Sequence, residues 1–433
     1  MELYEIFKKH PVICTDSRNC PEGSLFFALK GDNFDANAFA LSALEKGCAY
    51  AVIDDKQYAV DERFILVDNV LKTLQDLACH HRRQLGTTII GITGTNGKTT
   101  TKELIAATLK QKYKIHFTEG NLNNHIGVPL TLLQLTAEHE LAVVEMGANH
   151  PGEIKVLADI AQPDYGIITN VGKAHLEGFG SFEGVMRTKG ELYDYIYKSG
   201  GKIFLNTGNA FLNSMSKKAK FISPDRILSY ELGSNLKGHV AVGKTLSCNP
   251  LLHLKGQTKE GDFEIRTQLI GMYNAENVLS AATIGTHFGV SNELIKKGLE
   301  EYIPRNNRSQ LTISEHNKII ADAYNANPTS MHAAILNFAQ MDVPEKTLIL
   351  GDMLELGKQS ADEHQKIADL LKDKGFSSVY LVGKSFQATK SYFRKFADIG
   401  ALIDEIRENP LQNRFILVKG SHGIHLEKIL ELI

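Results

Sequence analysis

The residues with the clearest chemical potential lie in a glycine-rich turn around Lys98 and Thr99. The segment GITGTNGKTTTKE (91–103) joins a β-rich apolar run to a stretch with helical spacing. Glycines let backbone N–H groups approach phosphate oxygens, and a helix N-terminus adds a partial positive charge. The Lys98 ammonium would bridge the outer phosphates, and the Thr99 hydroxyl would ligate Mg²⁺. The turn therefore predicts a site for nucleotide phosphates.

The match to the strict phosphate-loop pattern G-x-x-x-x-G-K-[ST] is imperfect. That pattern requires glycine at position 92, where this chain has Ile92, with Gly91 one residue away. The alternative is a glycine-rich turn followed by an ordinary surface lysine. The strand-like run before the turn and the helix-like run after it favour phosphate binding. We assign the phosphate contacts to Gly94, Thr95, Asn96, Gly97, Lys98, Thr99 and Thr100.

Three further side chains have chemical potential. Glu145 lies in the buried-type run LAVVEMG (141–147), where a carboxylate is unusual unless it has a function. His175 follows the run YGIITNVG (165–172) in a glycine-rich loop, and Lys189 lies in a helix-like stretch beyond it. Each residue also has a purely structural explanation. Glu145 could form a salt bridge, His175 could be a hydrogen-bonded structural histidine, and Lys189 could be a solvated surface lysine. Sequence alone favours the solvated interpretation for Lys189.

The elements that position these residues alternate in type along successive blocks. The first block, 1–84, ends in a helix-like stretch from 71 to about 85, and its strand-like runs are VICTD, SLFFALKG, AYAVIDD and FILVDNV. The second block, 85–303, starts with the strand-like run 87–93, followed by a predicted helix over 98–112. Strands that alternate with helices favour a largely parallel sheet.

Two more segments complete this organisation. In 251–271, apolar side chains from Phe263 to Leu269 alternate with polar ones beside a KEGD turn, which predicts an antiparallel hairpin. The third block, 304–433, contains the strand-like runs KIIADAY, KTLILGD, SSVYLVG and RFILVKG. Helical segments between these runs predict a small doubly wound domain. The fold class is therefore α/β with three domains.

Composition excludes several classes of protein. The chain has 433 residues, of which 43% are hydrophobic and 23% charged, so it is expected to be globular rather than disordered. Its formal net charge of -2 gives no electrostatic case for binding nucleic acid. No apolar run reaches about 18 residues, so no membrane span is expected. Balanced charge without coiled-coil heptads favours a monomer.

Compartment is predicted from the first residues and from the cysteines. The start MELYEIFKKHP lacks the apolar core of a signal peptide, which predicts a cytoplasmic protein. The five cysteines, which include no C-x-x-C pair, are an odd and scattered set. That spacing predicts neither a disulfide framework nor a structural zinc site, and it fits a reducing compartment.

The glycine-rich turn also resembles a known family. GITGTNGKTT is similar to the ATP loop of the Mur ligases, which use T-G-T-N-G-K-T rather than the standard spacing. The absence of glycine at position 92 therefore agrees with the pattern of that family. The rest of the chain resembles the MurF branch. The matching segments, in family order, are TDSR, FFALKGDNFDAN, NLNNHIGVPLTLL, VVEMGANHPGEI, ITNVGKAHLEGFGSFEGV, MYNAENVLSAA, ADAYNANPTSM, LGDMLELG and LVKGSHG.

The resemblance implies roles for residues on the nucleotide side. Thr99, Glu145 and His175 would hold Mg²⁺, and Lys189 matches a lysine that in Mur ligases is often carbamylated by CO₂. The segment with Asn274 and Asn277 would contact adenine; the alternative for Asn274 is a helix cap. The resemblance further implies that the third domain reaches the nucleotide after domain closure, through Arg308, Asp322 and Asn325.

Further residues are implied on the substrate side. The first domain would bind the UDP-sugar end of the substrate, with Ser17, Arg18, Lys30, Gly31 and Asp32 as candidates. The remaining candidate substrate contacts are Asn123, Asn124 and Asn327. Asn327, before Pro328, is equally well explained as a helix start. Where the family often has S-R-G-M-R, this chain has His422 and His425 in place of the two arginines, which weakens the case for an anion contact there.

The implied fold is the three-domain Mur ligase architecture, with a P-loop central domain and a Rossmann-like C-terminal domain. The implied reaction is ATP-dependent, ADP-forming ligation of D-Ala-D-Ala to UDP-MurNAc-tripeptide through an acyl phosphate, for peptidoglycan synthesis. Alternatives are the sister ligase that adds diaminopimelate or lysine, folylpolyglutamate synthase, a P-loop regulatory or transport NTPase, and a nonenzymatic Mur-like partner. The third residue of the tripeptide is left open.

Overall fold

A computed structural model of the protein describes residues 2–221, 223–305 and 307–433. Three main sheets of four, nine and six strands follow one another along the chain. Each sheet lies within one of the blocks 1–84, 85–303 and 304–433, and strands alternate with helices in all three. The α/β prediction is therefore confirmed. Across the described ranges, none of the helices combines the length and apolarity needed to cross a membrane.

The first sheet is parallel, in the order β1-β2-β5-β6, beside a small antiparallel pair β3-β4. Its strands are β1 (Ile13–Cys14), β2 (Leu25–Phe27), β3 (Lys30–Gly31), β4 (Phe34–Asp35), β5 (Tyr50–Ile53) and β6 (Phe64–Leu66), and the helices are α1 (Glu2–Lys9), α2 (Ala40–Glu45) and α3 (Val70–Leu85). The predicted helix over 71–85 is confirmed as α3. The Asn69 side chain accepts from the N–H of Lys72, and Gly86 ends the helix at φ 66°.

The second sheet is parallel except at one edge, in the order β15-β14-β13-β12-β11-β10-β7-β9-β8. Its strands are β7 (Thr88–Thr93), β8 (Ile115–Phe117), β9 (Leu141–Glu145), β10 (Tyr165–Ile168), β11 (Lys202–Asn206), β12 (Ile227–Leu232), β13 (Ala241–Cys248), β14 (Leu251–Thr258) and β15 (Gly261–Ile270). The helices are α4 (Lys98–Leu109), α5 (Gly127–Leu133), α6 (Glu153–Ala161), α7 (Leu176–Phe179), α8 (Phe182–Ser199), α9 (Ala210–Lys218), α10 (Asn274–His287) and α11 (Asn292–Glu301). The predicted antiparallel hairpin is confirmed as β14 and β15, in which Leu254 pairs with Ile265.

The third sheet has the order β16-β17-β21-β18-β19-β20 and is parallel apart from β16. Its strands are β16 (Gln310–Ile313), β17 (Lys318–Asp322), β18 (Lys346–Gly351), β19 (Val379–Val382), β20 (Arg394–Phe396) and β21 (Phe415–Lys419). The helices are α12 (Pro328–Gln340), α13 (Ser360–Asp373), α14 (Lys384–Gln387) and α15 (Ile399–Glu408). The four strand-like runs predicted in this block correspond to β17, β18, β19 and β21, and all four are largely buried.

One apolar core joins the first sheet to the second domain. Helix α3 packs against β2 on one side and against α5 and α6 on the other. The buried Leu25 and Leu74 therefore belong to the same cluster as Val128 and Leu132. Apolar side chains of both blocks are buried in this one core. Their burial stabilises the packing of the first block against the second.

Strand order brings the candidate functional loops together. The register places Ile92 of β7 beside Glu145 of β9 and beside Ile167 of β10. Because the carboxyl ends of parallel strands meet at one edge of a sheet, the loops after these three strands converge there. The same rule operates in the third domain, where Asp322 at the end of β17 pairs with Lys419 at the end of β21.

Candidate active site

The loop between β7 and α4 requires glycine at two positions. Gly94 has φ 144°, and a Cβ atom there would collide with Oγ1 of Thr169. Gly97 has φ 77°, and its Cβ would lie 2.9 Å from Oδ1 of Asn277. Gly97 is also the N-cap of α4, so the first N–H groups of that helix open towards the loop. This is the backbone geometry of a phosphate cradle.

The loop is held in shape by the segment that follows β10. The N–H of Thr95 donates to the carbonyl of Asn170, and the N–H of Asn96 donates to Oδ1 of the same residue, both at 3.0 Å. The Thr169 hydroxyl donates to the carbonyl of Asn96 at 2.7 Å. These bonds fix the conformation of the loop, so the protein does not have to order it when a ligand arrives.

Lys98 begins α4 and folds back over the loop. Its Nζ donates to the carbonyls of Gly94 at 2.9 Å and Thr95 at 3.1 Å. Burial lowers the pKa of this half-buried lysine; the negative charge of Glu145 opposes that shift and the positive charge of Arg308 adds to it. Bound phosphate would favour the charged form of the amine.

Glu145 ends β9 below the loop and is 1% exposed. Its Oε1 accepts from the Thr99 hydroxyl at 3.2 Å and from the Asn123 amide at 2.9 Å. Its Oε2 is buried and, within the part of the chain that the structure describes, has no hydrogen-bond partner; Nζ of Lys102 lies 4.0 Å away. A buried carboxylate oxygen without a partner is costly. The Thr99 hydroxyl and the Glu145 carboxylate therefore fit a hard cation, which takes oxygen ligands.

Lys189, on α8, is 2% exposed rather than solvated. Its Nζ makes one long contact, 3.4 Å to the carbonyl of Ala148, and lies 5.4 Å from the ring centre of Phe179. The pKa of Lys189 is held well below its usual value, first by burial and second by the positive charge of Lys98. The surface-lysine alternative is therefore wrong, and burial disfavours the charged form of this amine.

His175 occupies a strained position between two domains. It has φ 48°, at the start of α7, and its ring packs on the edge of Phe179. Its Nδ1 lies 2.6 Å from Oε2 of Glu355 in the third domain. The imidazole beside it lowers the pKa of Glu355. The structure thus places His175 in a contact with the third domain, and its role as a metal ligand stays a prediction.

The two candidate adenine contacts are buried at the start of α10. Asn274 is the first residue of that helix, and its amide donates to the carbonyl of Ile270 at 2.7 Å. The N-cap is Tyr273, so the alternative that Asn274 caps the helix is wrong. The amide of Asn277 donates to Oδ1 of Asn274 at 2.8 Å and packs against Gly97. Both residues therefore support the phosphate loop from beneath, and adenine contact stays a prediction.

Arg308 and Asp322 approach the site from the third domain. The Arg308 guanidinium stacks 3.5 Å from the ring centre of Tyr324, and its charge lowers the pKa of Lys98. The Asp322 carboxylate accepts from Nζ of Lys419 at 2.7 Å, and the same ammonium donates to the carbonyl of Asn325 at 3.2 Å. The charge of Arg308 therefore acts on the loop lysine. Asp322 and Asn325 both accept hydrogen bonds from Lys419.

Asn327 connects the third domain to the loop directly. Its side chain caps α12 in a reciprocal pair with Ser330, and its amide also donates to Oδ1 of Asn96 at 2.7 Å. The helix-start interpretation is therefore confirmed, and substrate contact by Asn327 stays a prediction. Two further contacts close the same interface: Nζ of Lys173 lies 3.0 Å from Oε1 of Glu363, and the N–H of Lys173 donates to the Thr329 hydroxyl.

The candidate residues of the first domain lie on or between strands β1 to β4. The exposed Arg18 pairs with Asp16 at 2.8 Å, and Lys30 pairs with Asp54 at 2.9 Å. Ser17, Gly31 and Asp32 accompany them, with the carbonyl of Ser17 accepting from Lys46. Substrate contact by this group stays a prediction.

The neighbours Asn123 and Asn124 have different positions. Asn123 reaches Glu145, whereas Oδ1 of Asn124 accepts from the N–H groups of Ile126 and Gly127 and turns the chain into α5. Asn123 is therefore part of the site beside the loop, and Asn124 shapes the segment that carries it.

The two histidines that replace arginines form a group of rings with Tyr324, the ring on which Arg308 stacks. The His422 ring is 6.1 Å from the Tyr324 ring, and the His425 ring is 5.8 Å from that of His422. Nδ1 of His425 contacts the carboxylate of Glu427 at 3.1 Å. The departure from the family pattern therefore places two imidazoles where the family has guanidinium groups.

Sequence reasoning missed several residues of the site. Lys102 is fully buried and lies 4.0 Å from Glu145, although the segment TTTKE gives it no distinction from a surface lysine. Asn170 and Lys419 lie near the ends of predicted strand-like runs and Lys173 directly follows one, and this position at a strand end was the available signal. Glu355 contributes through its side-chain contact with His175 and through its carbonyl, which accepts from the N–H of Glu177.

The fold and the site define a nucleotide-binding ligase of the Mur type. Residues 92–285 match the Mur ligase middle domain, and residues 307–422 match the Mur ligase glutamate ligase domain. A UDP-N-acetylmuramoyl-tripeptide–D-alanyl-D-alanine ligase from Bacillus subtilis is 35% identical, covering 97% of this chain and 92% of the relative; its Escherichia coli counterpart is 34% identical, covering 97% and 93%.

Solved structures agree with these relatives. MurF from Acinetobacter baumannii has a TM-score of 0.84 and 31% identity, covering 97% of this chain and 92% of that one. The MurF ligase from Thermotoga maritima, in complex with ADP, has a TM-score of 0.85 and 25% identity, covering 98% and 97%. The chain belongs to the MurF family of the Mur ligases.

Proposed function

We propose that this protein is an ATP-dependent ligase that joins D-alanyl-D-alanine to UDP-MurNAc-tripeptide. The products are UDP-MurNAc-pentapeptide, ADP and phosphate, and the reaction is the final cytoplasmic step of peptidoglycan precursor synthesis. One observation carries the proposal: the phosphate loop meets the third domain through Asn96 and Asn327. A ligase of this kind needs its nucleotide and its acceptor held by different domains that close on each other.

The chemistry explains why ATP is required. A carboxylate is a poor acyl donor because its leaving group would be oxide. A carboxylate oxygen of the tripeptide attacks the γ-phosphorus, the bond to the β-phosphate oxygen breaks, and ADP leaves. The amine of the dipeptide then attacks the carbonyl carbon of this acyl phosphate. The tetrahedral intermediate expels phosphate, and the nitrogen loses a proton to give the amide.

The residues of the loop supply positive charge where the phosphoryl group moves. The Lys98 ammonium, now bonded to two loop carbonyls, would exchange them for phosphate oxygens, which are stronger acceptors. Arg308 adds a second cation from the third domain. Cationic donors of this kind offset the negative charge that builds on the transferring group.

Mg²⁺ is the cation we propose for the site of Thr99 and Glu145. The buried Oε2 of Glu145 and the adjacent Thr99 hydroxyl are oxygen donors that suit it. When bound, Mg²⁺ would neutralise phosphate charge. His175 is proposed as a further ligand.

We also propose that CO₂ carbamylates Lys189. The reaction needs a neutral amine, and burial beside Lys98 lowers the pKa of Lys189 and so provides one. The neutral nitrogen attacks the carbon of CO₂ and loses one proton to solvent, which converts the neutral amine into an anionic carbamate. That anion would attract the positive charge of Lys98 and would add oxygen donors for Mg²⁺.

Closure of the third domain would keep water from the acyl phosphate, which water would otherwise hydrolyse. The pairs Lys173–Glu363 and His175–Glu355 support the closed arrangement. Asp322 and Asn325 are proposed to reach the nucleotide, and Asn274 and Asn277 to contact adenine. The first-domain candidates Ser17, Arg18, Lys30, Gly31 and Asp32 are proposed to bind the UDP-sugar end, and Asn124 the muropeptide. We propose that the protein acts as a monomer.

Phosphate release from ATP tests this function. Purified protein is given UDP-MurNAc-dipeptide or -tripeptide together with single amino acids or D-Ala-D-Ala. Release that requires both the tripeptide and D-Ala-D-Ala is expected, and tripeptides with different third residues will rank the substrates. The Lys98→Ala protein is the control for contaminating ATPase. Release with the UDP-dipeptide and a single amino acid would instead assign the sister reaction.

A further inference from the structure

Three of the five cysteines converge in the first domain. Cys14 ends β1, Cys20 precedes β2, and Cys48 lies between α2 and β5. Their three sulfur atoms all lie within 4.8 Å of one another, and those of Cys14 and Cys20 are 3.7 Å apart. All three are free thiols. Three elements that are separate in sequence therefore bring their sulfurs to one point.

The dimensions of this cluster fit a metal ion. Four ligands around Zn²⁺ at about 2.3 Å in a tetrahedron place neighbouring sulfurs about 3.8 Å apart. The Cys14–Cys20 separation already has this value, and Cys48 needs only a small side-chain movement to reach it. Thiolate ligands select soft metal ions such as Zn²⁺ and Cu⁺ over hard ions such as Mg²⁺. The cluster thus differs in kind from the oxygen site at Glu145.

Burial and charge favour Zn²⁺ in particular. Cys14 and Cys48 are buried in an apolar cluster with Phe26 and Ala40, whereas Cys20 is half-buried and leaves one side open to water. Three thiolates and one Zn²⁺ carry a net charge of -1. Nζ of Lys46 donates to the nearby carbonyl of Ser17, which places a positive charge beside the turn that carries Cys20. Cu⁺ would leave one more negative charge uncompensated.

We propose that Cys14, Cys20 and Cys48 form a Zn²⁺ site, with water as the fourth ligand. The cysteine spacing gave no sign of it, because the sulfurs meet only through the parallel pairing of β1, β2 and β5. The thiols now donate to the carbonyls of Asp16 and Asn19, so a bound ion would anchor the turn between Cys14 and Cys20. This turn carries Ser17 and Arg18. The proposal stands whether or not those two residues bind substrate.

Cobalt titration of the full-length protein tests the site. The protein is reduced, stripped of metal by chelation and titrated with Co²⁺, which reports thiolate ligation through sulfur-to-cobalt charge-transfer absorption. We expect the charge-transfer absorption to correspond to one Co²⁺ per chain and to disappear when Zn²⁺ displaces that ion. The Thr99–Glu145 site offers oxygen ligands, so it cannot produce this absorption. The outcome is therefore independent of the proposed ligase activity.

Variants make the test decisive. Cys20→Ser changes a half-buried residue and is expected to fold; it should weaken Zn²⁺ binding by more than about 100-fold, since even outer-shell changes cost 10–100-fold. Cys79→Ser and Cys248→Ser, at half-buried cysteines outside the cluster, should bind like the wild type. Unchanged affinity in Cys20→Ser, or no charge-transfer absorption in the wild type, would overturn the proposal. Preferential binding of Cu⁺ over Zn²⁺ in competition would overturn the choice of ion. Loss of two thiols to a disulfide without metal uptake would instead identify a redox pair.

Discussion

Replacing Lys189 with methionine should stabilise the protein while abolishing its activity. The side chain is 2% exposed, and its Nζ makes a long hydrogen bond of 3.4 Å to the Ala148 carbonyl. Methionine has nearly the same length and no charge to desolvate. The buried lysine therefore lowers the free energy of unfolding, and the Lys189→Met variant lets that loss of stability be measured.

The magnitude follows from the surroundings of the amine. Burial and the charge of Lys98 both disfavour the ammonium, while Glu145, Glu153 and Glu191 favour it only through longer-range fields. Replacing buried charged groups by apolar ones of similar volume is commonly neutral or stabilising by 1–4 kcal/mol, and we expect about 1–3 kcal/mol here. For a domain of 150–250 residues, each kcal/mol raises Tm by about 2–4 °C.

The pH dependence has a definite sign. Because the pKa of Lys189 is lower in the folded protein, the unfolded chain binds an extra proton between that folded value and the ordinary value of about 10.4. Wild-type stability should rise with pH across this window. The advantage of Lys189→Met should be largest at low pH and should disappear as the pH approaches the upper limit.

Differential scanning calorimetry in CO₂-free buffer measures this difference, with Lys198→Met, an exposed lysine on the same helix, as the matched control. Lys198→Met should leave Tm within about 1 °C, as surface substitutions do. Bicarbonate should raise the Tm of the wild type and not that of Lys189→Met if the carbamate forms. A Lys189→Met protein that is less stable than the wild type in CO₂-free buffer, at every pH, would refute the argument that the amine is buried at a cost.

The remaining predictions concern the loop and the domain interface. Lys98→Ala should reduce kcat by about 10²–10³ with Tm unchanged, as expected for loss of a charged donor to the reacting phosphate; near-wild-type turnover would contradict the loop assignment. Arg308→Ala should reduce activity although Arg308 is distant in sequence from the loop, and unchanged ATP kinetics would mean that the third domain does not act on the nucleotide. A double-mutant cycle of Lys173→Ala and Glu363→Ala should give a coupling of about 0.2–1 kcal/mol in the free energy of substrate binding, because Lys173 is partly exposed; additive effects would show that this pair does not support closure.

The elements of the fold were predictable because local patterns specify them. Helix α4 was expected from 98 to 112 and ends at Leu109, and the β14–β15 hairpin followed from the alternation between Phe263 and Leu269. Continuous apolar runs identified the buried parallel strands, since both faces of such strands are covered. Helix ends were less well predicted, because the last turn of α4 depends on packing that sequence spacing does not reveal.

The site was predictable only where residue type and local geometry coincide. The glycines, Lys98 and Thr99 lie in one continuous turn, so their spacing carried the signal. Lys189 resembled a surface residue, because the residues next to it in sequence do not show that its side chain is buried on α8. Contacts such as Asn96 with Asn327 form between residues far apart in sequence, and no local pattern encodes them.

The apolar core that joins the first sheet to α5 and α6 limits how this enzyme can be recombined. Residues 1–84 look like an exchangeable module, yet α3 presents Leu74 and Leu77 to a surface that includes Val128 and Leu132. A graft of the first domain from another Mur ligase would bring a helix shaped for a different partner. A working chimera must carry α5 and α6 along with the graft, so the natural unit of exchange crosses the domain boundary.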